Sequence, residues 1–495
     1  MKVGFHCCYD ETPFLLEVIK RLQARSGWEA TAVTWGNRYR KAVAEAGIPA
    51  ANIGDFLEQR WDSLDISPSR VERLDAQYGD PYLGGHIYAD RHLVSCDRAT
   101  QLRYLVGLVE FWEDLFDRHR PRLVLGPGAA YLLDILGAIV APSFGAEYRL
   151  MYDTRQPSRR TTFSATYCET WYLVDRIFAA AGQSTPSGDS RRCAEAFLEG
   201  FRASGRPPDY MNTGGWFAPT VTSRGVSEIM RRFRRSHLEG WGRGSDYLTI
   251  PPLRSIRERA TAVIRSRLLM AGTCFEPPRP GERYLLFGLH FQPEATTLIQ
   301  APHLVDQLPV VEAIAKALPA SHWLYVKEHA PMLGRRPVGY YRRLKALRNV
   351  RLLGPYHDTH ALIRGSEAVV TITGTMGWEA LLYGVPAIVL GDVFYLSCGL
   401  AHVCHDLREM PRLVAHALTH KEQDEEVLLR YLAAIYEGSF PGWLGVPHVR
   451  PDVMDPENIE RMAIGLDSFT RDPRFWLLDA RLSPQGRDQV PQDAV

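Results

Sequence analysis

The stretch Thr371-Ile-Thr-Gly-Thr-Met-Gly-Trp-Glu-Ala-Leu-Leu-Tyr-Gly-Val-Pro-Ala-Ile-Val-Leu-Gly391 decides the fold class. A β-branched apolar run ends in Thr373-Gly374-Thr375, and a helical pattern begins there. Gly384 closes that helix, Pro386 follows, and a second apolar run completes the unit. Strand, helix and strand in such close succession form a parallel crossover. The first turn offers backbone N–H groups and two hydroxyls at a helix N-terminus, where phosphate binds readily. Glu379 stands one turn further on, within reach of a ribose diol. A plain crossover with a threonine cap fits the same residues, so the surrounding pattern has to decide.

That pattern extends outward on both sides. Strand-like runs at 284–289, 323–327, 350–353, 368–372 and 387–390 alternate with helical periodicity over 303–318, 339–347, 358–364, 376–383 and 406–419. A similar alternation covers the first 150 residues, with strands at 3–7, 29–34, 122–125 and 148–151. The expected fold class is α/β, with two Rossmann-like doubly wound domains facing a cleft and joined by a helical connector. The expected divisions are an N-terminal Rossmann-like domain over 1–175, a basic helical connector over 176–280, a second Rossmann-like domain over 281–450, and a C-terminal helix with a frayed tail over 451–495.

Composition narrows the function classes. The 495 residues carry 58 basic and 57 acidic side chains, a net charge of +1, which excludes a surface given over to nucleic acid. The eight cysteines are scattered without a disulfide framework, which predicts a reducing compartment. The N-terminus does not read as a signal peptide, and no apolar run has the ~20 residues of a membrane span. The best candidate, Tyr131 to Ala141, is short and contains Asp134. A cytoplasmic location is expected, with attachment at the inner face of the membrane left open. Between 224 and 268, 11 arginines against 4 acids leave a local charge of 11 − 4 = +7. That stretch is read either as a solvated helical face or as a contact with anionic lipid or glycan.

Two further loops follow strands of the second unit. Lys327-Glu328-His329 precedes Pro331, Arg335 and Arg336; a phosphate beside His329 would help keep it protonated. His290-Phe-Gln-Pro-Glu-Ala-Thr-Thr297 places His290, Gln292 and Glu294 after another strand. All three loops leave the same edge of one sheet, so they are expected to converge where α/β folds bind ligands. Cys398, His402, Cys404 and His405 resemble a zinc set by type only. Their spacing is wrong, so no metal and no other cofactor is expected.

Together the segments HFQPEATT, KEH…MLGRR and TITGTMGWEALLYGVPAIVLG resemble the bacterial capsule and surface polysaccharide synthesis family. These are glycosyltransferases of the GT-B architecture, similar more distantly to Kdo transferases and polysialyltransferases. The resemblance is strongest over about 281–400. It is weaker at Tyr78-Gly-Asp-Pro-Tyr…Ala89-Asp-Arg91 and Asp153-Thr-Arg155…Arg160. It implies a nucleotide-sugar donor on the second domain and a glycan or lipid-linked acceptor on the first. Carried over by position, Lys327, His329, Thr373, Gly374 and Thr375 would hold phosphate and Glu379 the ribose. Gln292 and Glu294 would line the donor side. Relatives commonly place Pro directly after the histidine, whereas Ala330 intervenes here.

Catalysis of glycosyl transfer needs a stabilised leaving phosphate and a base for the acceptor hydroxyl. Asp10, Glu11 and His290 are the catalytic candidates, with His6 and Asp153 as alternatives for the base. Arg155 and Arg160 are candidates for an anionic acceptor or donor group. No Asp-x-Asp metal motif is present, so metal-independent transfer is expected. A sugar-nucleotide epimerase or hydrolase, or a non-catalytic glycan-binding scaffold, are the competing classes.

Overall fold

The computed structural model describes all residues except 38, 80–81, 182–187, 206–251, 273 and 478–495, and the side chains of 252, 253 and 255. Most of the basic 224–268 stretch lies outside the described residues; its last part forms the helix Pro252–Ala271.

Among the described residues, thirteen strands make two sheets. In chain order they are β1 Lys2–His6, β2 Glu29–Thr34, β3 Ala50–Asn52, β4 Leu123–Gly126, β5 Glu147–Asp153, β6 Arg160–Ser164, β7 Arg283–Gly288, β8 His322–Lys327, β9 Val350–Leu353, β10 Ala368–Thr371, β11 Ala387–Val389, β12 His402–Val403 and β13 Phe440–Pro441. The first sheet runs β13-β6-β5-β4-β1-β2-β3, parallel from β5 to β3, with β6 and β13 antiparallel at one edge. The second runs β12-β11-β10-β7-β8-β9 and is parallel throughout.

These are two doubly wound units, as the alternation predicts. Each reverses strand order once, between β1 and β4 in the first sheet and between β7 and β10 in the second. Reversal splits the connections to opposite faces and leaves a crevice at the carboxyl ends of the two strands. The strands at both crevices are short and buried on both faces, which is why they read as continuous apolar runs rather than alternating ones.

The expected boundary at 450 is corrected. β13 at Phe440–Pro441 pairs with β6 of the first sheet, and helix Pro456–Arg471 packs on helix Thr12–Ser26. The chain leaves the second unit before 440 because Phe440, Met462 and Phe475 complete the first unit's core around Phe163. Arg149, buried beside Glu147, donates to the Phe475 carbonyl at 3.3 Å and fixes the returning segment. In the connector, helix Gly188–Ser204 packs against helix Glu425–Glu437.

Candidate active site

The three loops of the second unit meet at the β7/β10 crevice. Helix Thr375–Leu382 starts directly after β10, with Gly374 at its N-cap. A Cβ on Gly374 would lie 2.7 Å from Thr371 Oγ1 and 3.2 Å from His290 Cε1, so only glycine fits there. Gly384, at φ +74°, ends the helix and aims the chain into β11.

His290 joins the first loop to the second. Its Nε2 accepts the Ile372 N–H at 3.2 Å, so the neutral ring carries its proton on Nδ1. Burial, with His329 and Arg336 nearby, holds its pKa down to about 3. His290 therefore ties two loops together, a task different from the catalytic one expected of it. Thr373 is committed too: its hydroxyl donates to the Thr296 carbonyl at 2.9 Å. Gln292 is spent on its own loop, donating to the Val305 carbonyl and accepting from Arg336 at 3.4 Å. The expectation that Gln292 and the Thr373 hydroxyl face a donor is corrected, because both side chains complete loop contacts.

Arg336, which the sequence places in this loop without a role, is a buried cation. It donates to the His290 carbonyl and lies 3.4 Å from Glu328, which also accepts from Tyr341 at 2.6 Å and from the His329 N–H at 2.7 Å. Glu328 and Arg336 thus lock the β8 loop against the β7 loop. An acid beside the loop and an arginine eight residues on was the available signal.

Four groups remain to face the crevice: Lys327, His329, Thr375 and Glu379. The Glu379 carboxyl is buried and has no hydrogen-bond partner among the described residues. Burial pushes its pKa up to about 8, with Lys327 acting in the opposite sense. His329 Nδ1 is buried without a partner, and burial, Lys327 and Arg336 hold the imidazole down to about 4. Lys327 donates to the Pro355 carbonyl at 2.9 Å. Burial lowers its pKa to about 8, opposed by Glu328, Glu379 and Asp358. An acid and an imidazole without hydrogen-bonded partners and a partly compensated ammonium are thus gathered within electrostatic reach of one another through Lys327. Such a set is costly for folding alone and suits a polyanionic, hydroxyl-bearing ligand.

Glu294 lies at the junction with the first unit. Burial raises its pKa, while the Thr296 hydroxyl at 2.9 Å, Arg91 and Arg155 oppose the rise. Arg155 pairs with Glu169 at 2.5 Å, and Gln300 donates to the same carboxylate at 3.4 Å. Arg155 is therefore at the junction, held by a first-unit acid. Arg160 is not in this group. Its guanidinium donates to the Tyr436 carbonyl at 2.8 Å and to Ser439 Oγ at 2.8 Å, closing the end of helix Glu425–Glu437. The anion-binding expectation for Arg160 is corrected: its donors hold carbonyls that the helix leaves unpaired.

Asp10 and Glu11 sit half-buried after β1, at the first unit's crevice. The Tyr39 hydroxyl donates to Asp10 at 2.7 Å, and Glu11 precedes helix Thr12–Ser26 without a side-chain cap bond. Beneath them lies a pair that sequence reasoning did not assemble. His6 Nδ1 is 2.9 Å from Asp134 Oδ1, both side chains fully buried. Asp134 also accepts from the Tyr9 hydroxyl at 2.8 Å and from the N–H groups of Ala130 and Tyr131. An acid in an otherwise apolar helical run was the signal for it. Cys398 and Cys404 are buried and their thiols donate to the carbonyls of Tyr395 and Asp406. Among the described residues no group of three or more metal-ligating side chains is assembled, and no helix is long and apolar enough to cross a membrane.

This geometry can be set beside known proteins. Residues 302–424 match the capsule polysaccharide biosynthesis protein family. The match covers Lys327, His329, Arg336, Thr373–Thr375 and Glu379, and it agrees with the family resemblance carried by those loops. The β7 loop with His290, Gln292 and Glu294 lies just outside it. No curated protein matches the chain. Among solved structures, the beta Kdo 2,7 transferase of Thermosulfurimonas dismutans KpsC is 14% identical, with 65% of this chain and 88% of that one covered at a TM-score of 0.30. The beta Kdo 2,4 transferase of the same protein gives 14%, 66%, 87% and 0.32. UDP-GlcNAc 2-epimerase of Methanocaldococcus jannaschii, in complex with UDP-GlcNAc and UDP, gives 11%, 86%, 95% and 0.31. Likenesses this remote carry no weight for activity, which has to be argued from the site.

Proposed function

We propose that the protein is a glycosyltransferase of surface-polysaccharide synthesis, moving a sugar from a nucleotide donor to a glycan or related acceptor without a resident metal. The observation that carries the reading is the pair of groups that Lys327 acts on: Glu379, 4% exposed and without a hydrogen-bond partner among the described residues, and His329, whose Nδ1 is buried without a partner. Hydroxyls of a ribose would satisfy the first. A phosphate oxygen would satisfy the second and draw a proton onto the imidazole, raising its pKa from about 4. The N–H groups at Gly374 and Thr375 add the positive end of a helix dipole. Lys327 and His329 then offset the charge that develops on the departing phosphate, the task a cation performs in metal-dependent transfer. The acceptor proton goes to a carboxylate after β1, for which Asp10 and Glu11 stand as the candidates. The family match supports glycosyl transfer as the chemistry.

Calorimetric titration with UDP-, GDP- and CMP-sugars tests the assignment. Glu379→Ala and His329→Ala should each weaken the one donor that binds by about tenfold or more, a loss of ~1.4 kcal/mol. Unchanged affinity in both variants would remove the donor site. Conversion of donor with no acceptor present would replace transfer by epimerisation or hydrolysis.

A further inference from the structure

One cavity among the described residues lies away from both crevices. It measures about 430 Å³ and opens on the first unit, lined by Tyr82, Gly84, Gly85, Tyr88, Arg98 and Gln101 among others. That volume falls within the range of small-ligand sites, ~300–1,000 Å³. Tyr82 and Tyr88 are 69% and 62% exposed, in a protein that buries most of its aromatic rings. Tyr82 precedes and Tyr88 belongs to the 3-10 turn Leu83–Ala89, whose inner side is fixed: Leu83 and Ile87 are fully buried, and the Leu83 N–H donates to Asp75 at 2.8 Å. The rings are therefore held out in water by an anchored turn. Gly84 and Gly85 leave backbone open between them, with nothing within 4 Å of where a Cβ would stand.

We infer that this groove is a saccharide subsite that holds the acceptor glycan away from its reacting end. A pyranose presents an apolar C–H face and a rim of hydroxyls. The tyrosine rings match the first, and Arg98 and the glycine backbone match the second. A nucleotide fits less well, since its phosphates would meet one arginine beside the Asp75 carboxylate. The position suits an acceptor. The turn touches the helix Ala295–Leu298 that follows Glu294, and Ile299 of that loop belongs to the same core as Leu83 and Ile87. A chain lying across the turn is thus directed to the junction between the two units. The inference rests on the transferase reading for the word acceptor, and on the groove alone for the word saccharide.

The test is an array of defined bacterial oligosaccharides probed with the whole protein, followed by saturation-transfer NMR on those retained. The expected result is binding that falls at least about tenfold in Tyr82→Ala/Tyr88→Ala and survives in Tyr82→Phe/Tyr88→Phe, with nucleotide-sugar affinity unchanged in both. No saccharide retained by the wild type, or retention indifferent to the double alanine change, overturns the subsite. Donor affinity is read separately, so failure here leaves the donor site standing, and failure of the donor titration leaves saccharide binding to be judged alone.

Discussion

The two crevices are built on one plan and finished differently. In each, a strand at the point of reversal runs into a helix that carries a fully or nearly fully buried carboxylate: Asp134 after β4, Glu379 after β10. Asp134 is held through one oxygen: its Oδ2 accepts from the Tyr9 hydroxyl and from two backbone N–H groups, while its Oδ1 lies 2.9 Å from His6 Nδ1 without a hydrogen bond. Glu379 has no hydrogen-bond partner among the described residues. A buried carboxylate that accepts three hydrogen bonds stabilises the loop it holds, whereas one that accepts none costs the fold stability.

The largest effect should come from breaking the hydrogen-bonded member. Asp134→Ala strands the Tyr9 hydroxyl, two N–H groups and a buried histidine, and should cost about 3–5 kcal/mol of stability. Thermal or urea unfolding reads it directly. A loss under about 1 kcal/mol would mean that the crevice loop is held by its apolar packing instead.

Glu379→Gln should do the reverse. It removes an ionisable group with no partner, so the fold should be as stable as wild type or more so, while nucleotide-sugar affinity falls about tenfold. The pH dependence sharpens the contrast. The folded pKa of about 8 lies above the ordinary 4.5, so between these values the unfolded chain has released a proton that the folded chain retains. Stability contributed by the neutral acid is therefore lost as pH rises through this window. The stability of Glu379→Gln relative to wild type should climb steadily from pH 5 to pH 7. His329 has the opposite sign, its pKa being lowered to about 4, but it is common to both proteins and cancels in the difference. A flat difference would place Glu379 in contact with water or a partner.

A third contrast lies between His329 and His290, two histidines of one crevice. His329→Ala should weaken donor binding about tenfold and flatten its pH dependence between pH 5 and pH 7, because only a free imidazole can take up a proton against phosphate. His290→Ala should instead cost about 1–3 kcal/mol of stability by leaving the Ile372 N–H unpaired. Equal losses of affinity without loss of stability would return His290 to the reacting group.

The sequence shows this contrast only in part. The β10–helix–β11 unit was legible residue by residue, because a β-branched run, a Thr-Gly-Thr turn and a closing glycine each act locally. The meeting of three loops was legible from topology, since strands of one parallel sheet end on one edge. Which side chains face inward was not. Arg160 finds its carbonyls at Tyr436 and Ser439, and Gln292 finds Val305 and Arg336; nothing near either residue announces those partners. The return of residues 440–476 to the first sheet was hidden for the same reason, as a two-residue edge strand has no periodicity to read.

The smallest effect tests the division of labour inside the phosphate loop itself. Thr373 and Thr375 flank Gly374, yet only the Thr373 hydroxyl is bonded to protein, at the Thr296 carbonyl. Thr373→Val keeps the shape and removes that donor, at a cost of about 0.5–1.5 kcal/mol, with donor affinity unchanged. Thr375→Val should leave stability alone and weaken donor binding by about threefold, since its hydroxyl has no other task in the described structure. Exchange of those two outcomes would mean that the β10 turn rotates on binding, bringing Thr373 round to the ligand and releasing Thr296. The geometry of Gly374, wedged between Thr371 and His290, argues that the turn stays as it is.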